Sequence, residues 1–125
     1  MKIFQITCFI VLIVSISQEK AYSTEVTQRG IYDYLIIFGG FYMNENCSFI
    51  SESETKKFNS KVKFIVDETK DKHLTTNFIM KLKESSKESA YSDEYSDCNE
   101  DAKLIFQQSE YLANQWTDEI NKRKE

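Results

Sequence analysis

The stretch DCNEDAKLIFQQSEYLANQWTDEINKRKE, residues 97–125, decides the fold class. Ala102, Ile105, Phe106, Ser109, Leu112, Ala113, Trp116 and Ile120 recur at intervals of three and four residues, so they form one stripe of an α-helix. Asp97, Cys98, Asn99 and Glu100 offer capping chemistry at its start, and Glu100 and Asp101 suit the positive end of the helix dipole. Lys122, Arg123 and Lys124 stand at the negative end, where cations are favoured.

Upstream of this helix, Tyr91 to Ser96 reads as an acidic connection. A helix from Thr75 to Ala90 precedes it, with Leu74, Phe78, Ile79 and Leu82 on its apolar side. Its second half, Lys83 to Ser89, is wholly polar and is expected to fray. Ser51-Glu52-Ser53-Glu54 has the form of a capping box, with Ile50 just before it. The helix it opens runs to about Lys70 and buries Phe58, Val62, Ile65, Val66 and Thr69. Lys61-Val62-Lys63-Phe64 alternates as a strand would, and Phe64 lies off the helical stripe.

The first helix spans Glu25 to Met43. Ile31, Tyr34, Leu35, Phe38, Phe41 and Tyr42 share one face, while Tyr32, Ile36, Ile37 and Met43 make the other faces apolar too. A helix apolar all round is central and buried. Gly39-Gly40 permits a kink or a close helix crossing. Asn44-Glu45-Asn46 is expected to end the helix and leave Cys47 in the joint that follows. With no Pro and 3 Gly, the chain lacks the turn signals of a β-sandwich. The expected fold is all-α: a small four-helix domain over residues 24–125.

The N-terminus sets the compartment. Met1-Lys2 is a short positive segment, and Ile3 to Ile16 is nearly all apolar. Ala21-Tyr22-Ser23 then offers small residues where a signal peptidase inspects them, so residues 1–23 read as a cleaved signal peptide and the product as secreted or periplasmic. Cleavage removes Lys2, Glu19 and Lys20 and leaves 14 basic and 19 acidic side chains, a net charge of −5. That sign argues against nucleic acid and against anionic membrane surfaces as partners. Ile31–Met43 is too short, and with Asp33 too polar, for stable membrane insertion.

Cys8 leaves with the signal, so Cys47 and Cys98 remain in an oxidising compartment and are expected to form a disulfide. On the expected helix boundaries, the bridge ties together the N-terminal regions of the second and fourth helices. Asn46-Cys47-Ser48 matches a glycosylation sequon.

No residue pattern points to catalysis, a cofactor or a metal. His73 is the sole histidine, lies in a solvated Asp/Lys joint, and has no partners spaced for zinc or for a nucleophile. Asp93–Asp101 lacks the central Gly of a calcium loop. The aromatics Tyr32, Tyr34, Phe38, Phe41 and Tyr42 are the candidate binding surface, because Tyr is favoured where one end of a ring stays wet; plain core is the rival account of them.

The layout resembles the HdeA-type small periplasmic acid-stress chaperones. The shared features run from Cys47 to the C-terminus in pattern: two cysteines about 50 residues apart, and a last helix that starts after the second and ends in the basic run Trp116–Lys124. The aromatic first helix departs from that family. The resemblance implies a stress-activated binder of many clients. From the residues themselves, the first expectation is a secreted, non-enzymatic protein-binding module, a candidate host-directed effector in a host-associated organism. The chaperone is the alternative, and a carrier of small hydrophobic ligands, with a cavity under the aromatic helix, is third.

Overall fold

The computed structural model describes residues 25–72 and 74–124. Within them lie helices α1 (Glu25–Cys47), α2 (Glu52–Thr69), α3 (Thr76–Ala90) and α4 (Glu100–Lys124). The fold class is all-α, with Cys47 and Cys98 disulfide-bonded. The expected signal peptide, residues 1–23, and the solvated placement of His73 lie outside the described residues.

Helix α1 is the central element. Ile31, Tyr34, Leu35, Ile36, Ile37, Phe38 and Met43 are all buried, and α1 packs against α4, α3 and α2. It runs antiparallel to α4: Gly30 and Asp33 meet Trp116, Ile37 and Gly40 meet Ser109, and Cys47 meets Cys98. The two helices cross closely at Gly40, where a Cβ would stand 2.2 Å from Ser109 Cβ and 3.3 Å from Phe106 Cα. Ser109 Oγ donates to Ile37 O (2.8 Å), and from the other side Ser86 Oγ of α3 donates to Leu35 O (3.2 Å). Small hydroxyl residues thus bring two neighbours close to the α1 backbone and satisfy their own polar atoms there.

Asn44-Glu45-Asn46 does not end the first helix. Asn44 is 3% exposed. Its Nδ2 donates to Thr55 Oγ1 (3.0 Å), and its Oδ1 accepts from Phe49 N (2.8 Å). A buried Asn so satisfied stays inside the helix, because its amide bonds forward to the next segment instead of competing for its own backbone. α1 therefore continues to Cys47 and stops at Ser48, whose φ of 53° is left-handed and whose N–H bonds to Asn44 O (2.8 Å). The bridge consequently joins the C-terminal end of α1 to the approach to α4, and not two helix N-terminal regions. Cys98 itself has φ 61°, and Asn99 caps α4 by accepting from Ala102 N (2.9 Å).

The capping box before α2 forms as expected between Ser51 and Glu54. The strand-like alternation after it is overridden: α2 is continuous, and half-buried Phe64 lies beneath Lys124, with Nζ 5.4 Å from the ring centroid. The polar second half of α3 stays helical, because Ser86 and Ala90 are buried and Lys83 and Lys87 lie over the rings of Phe38 and Tyr42. A second small core of Met43, Ala90, Tyr95 and Ala102 fills the disulfide end of the domain. Tyr95 is its surprise, an anchor in what reads as an acidic loop.

Candidate functional site

The five aromatics of the expected surface do not form one surface. Tyr34 and Phe38 are core residues with centroids 5.3 Å apart. The Tyr34 hydroxyl bonds to Thr69 Oγ1, whose own proton goes to Ile65 O (2.7 Å), and burial pushes the phenol up to about 12. Phe41 and Tyr42 are half-buried and meet edge-on, at 5.0 Å and 88°. Tyr32 is exposed at 38%. The rings are dispersed because α1 is enclosed by three other helices, so a residue's place around it decides its burial more than its aromaticity does.

Two other features have the geometry of binding sites. The first is a cleft of about 280 Å³ between the start of α1, the end of α4 and the α2–α3 joint. Its apolar walls are Tyr34, Leu74, Trp116 and Ile120, and Arg29, Asp33, Glu119 and Arg123 bring charge to it. Trp116 Nε1 donates to Asp33 Oδ2 (2.9 Å), and the indole stands edge-on to Tyr34, at 5.3 Å and 76°. Burial raises the Asp33 carboxyl above its ordinary value; the Trp116 hydrogen bond and the Arg29 charge oppose that rise, and the Glu119 charge adds to it. Arg123 and Glu119 form a pair at 3.7 Å, one helical turn apart.

The second feature is the outer face of α4. Leu104 and Tyr111 are 47% and 57% exposed. They stand two turns apart on one side of the helix, with exposed Gln108 and Gln115 between and beyond them. From Leu104 to Thr117 the only charged residue is Glu110, which is half-buried beside the face. Gln115 Nε2 donates to the Tyr111 hydroxyl (2.8 Å), and Lys61 Nζ to Asn114 Oδ1 (2.6 Å), so several polar groups are already held in place.

The sequon amide is engaged as well: Asn46 Nδ2 donates to Ser96 O (3.0 Å) beside the disulfide, a bond that a glycan on that nitrogen would displace. Among the described residues no group of three or more His, Cys, Asp or Glu is placed to hold a metal, and no helix is long and apolar enough to cross a membrane.

Sequence reasoning missed the Asp33–Trp116 pair and the cleft around it. A signal was present: Asp33 is a charge inside the apolar run of α1, which calls for a donor on another helix. The outer face of α4 was equally visible as a 14-residue interval with a single charge, Glu110, in a chain that is 29% charged. No protein-family model, curated protein or solved structure matches the chain.

Proposed function

We propose that this chain is an exported, non-enzymatic binding module that engages a protein partner through the outer face of α4. The observation that carries the reading is the uncharged strip holding Leu104 and Tyr111 on a helix whose opposite side is core. Large exposed apolar side chains clustered on one helix face mark interaction sites, and tethered neighbours lower the entropy lost on docking. The partner that fits is a weakly charged protein surface with an apolar centre: the strip offers no charge to steer a basic or acidic one.

The test uses a photo-crosslinking residue in place of Gln108, with the protein exported in its native compartment. One defined adduct should form, be lost in Leu104→Glu/Tyr111→Glu, and survive Met80→Glu, whose exposed side chain belongs to α3. Equal capture by the wild-type and α4 variants overturns the reading. An adduct of twice the chain's mass identifies a second copy, and the partner is then the protein itself.

The acid-stress chaperone is a second reading, favoured by one contact. Glu68 near the end of α2 pairs with Lys124 at the end of α4 (2.8 Å), and that hydrogen bond, with Lys72 nearby, lowers the Glu68 carboxyl. A lowered carboxyl contributes above its unfolded value and ceases to do so as pH falls through its folded value, so acid loosens the α4 end. This reading requires suppression of client aggregation at about pH 2–3 together with loss of near-UV circular dichroism. A protein that stays rigid there, or simply precipitates, excludes it.

A further inference from the structure

The cleft at the open end of the α1–α4 pair adjoins the α4 outer face at Gln115 but includes neither Leu104 nor Tyr111. Its walls are the indole of Trp116, the ring of Tyr34, and Leu74 and Ile120. The charges alternate around them: Arg29 and Asp33 on α1, Glu119 and Arg123 on α4. We propose that this cleft binds a small zwitterion with an apolar side chain, of the free α-amino-acid class.

The charge pattern selects the class. A simple organic anion that meets Arg29 and Arg123 also meets Asp33 and Glu119, and a simple cation faces the converse conflict. A zwitterion satisfies both signs. Its ammonium goes to the carboxylates of Asp33 and Glu119, which both line the cleft, Asp33 being held there by the Trp116 N–H. Its carboxylate goes to Arg123. The pair that Arg123 makes with Glu119 is long, at 3.7 Å, and exposed, so it exchanges for a ligand carboxylate at little cost. The side chain lies along Leu74 and Ile120. A volume of about 280 Å³ is at the small end for ligand sites and matches a ligand of amino-acid size.

Trp116 is the chain's only tryptophan, so its emission reports on the cleft alone. The probes are L-leucine, leucinamide, which lacks the carboxylate, and 4-methylpentanoate, which lacks the ammonium. They are titrated into the disulfide-bonded protein recovered after export, and calorimetry of the same samples covers a bound state that leaves emission unchanged. Leucine should bind saturably and each single-charge analogue about tenfold or more weaker, since each forfeits a charge-assisted contact. Asp33→Asn and Arg123→Gln should each weaken leucine binding by about tenfold or more while still unfolding in one cooperative thermal transition. Heat and emission silent for all three probes overturn the proposal. So does equal binding of leucine and 4-methylpentanoate, which would make the cleft a site for apolar anions. Wild-type titrations from both variants overturn it too. None of these outcomes bears on capture through α4.

Discussion

At the residue scale, Gly40 sets how closely α1 and α4 approach. A methyl group there would overlap Ser109 Cβ at 2.2 Å, and the atoms it meets include backbone at Phe106, which cannot rotate away. Gly40→Ala is therefore expected to cost about 1–3 kcal/mol or more in urea unfolding, with part of the loss recovered by adding Ser109→Gly. Asn44→Ala leaves the Phe49 N–H and the Thr55 hydroxyl without their partner and should cost about 1–3 kcal/mol. Asp33 yields a pH prediction. Its carboxyl is raised in the folded chain, mainly by burial, so the folded state holds that proton more tightly than the unfolded state does. Stability from this group falls as pH rises through the window between the two values. Asp33→Asn, which keeps an acceptor for Trp116, should gain on the wild type as pH climbs from about 4 toward neutrality. A relative gain by the wild type over that range would mean that Arg29 and Trp116 outweigh burial.

At the element scale, local chemistry places the helices well. Ser51 accepts from Glu54 N (3.2 Å) and Glu54 Oε1 from Ser51 N (3.3 Å), so Ser51→Ala should cost about 0.5–2 kcal/mol, read as a lower denaturation midpoint at unchanged slope. That box, the stripe of α4 and the all-round apolar α1 were legible because caps and periodicity are properties of neighbouring residues. The end of α1 was not. Asn44 is a poor helix former in isolation, and only Thr55 and Phe49, brought in by folding, make its burial favourable. The persistence of the polar half of α3 is hidden for a related reason: Ser86 looks like surface until its hydroxyl finds Leu35 O on another helix. The aromatic set failed as a site because periodicity assigns residues to faces of α1 and does not say that three helices enclose it.

At the scale of the whole molecule, Cys47 and Cys98, with Cα atoms 5.6 Å apart and 51 positions apart in sequence, close a loop that contains α2 and α3. In the chain-entropy model such a loop contributes about 4 kcal/mol, so Cys47→Ala/Cys98→Ala should lose about 2–5 kcal/mol while keeping most of its helical circular dichroism. The bridge also fixes how the protein bears a load. Since α1 and α4 are antiparallel, residues 25 and 124 lie at the same end, opposite the bridge. Tension applied there peels the two helices apart like a zipper, one contact at a time, from Trp116 toward Cys98. At the covalent link the peeling halts, and residues 48–97 are never stretched. An optical trap should record a contour gain from α1 and α4 alone, and the remaining length should be released only when a reductant is added.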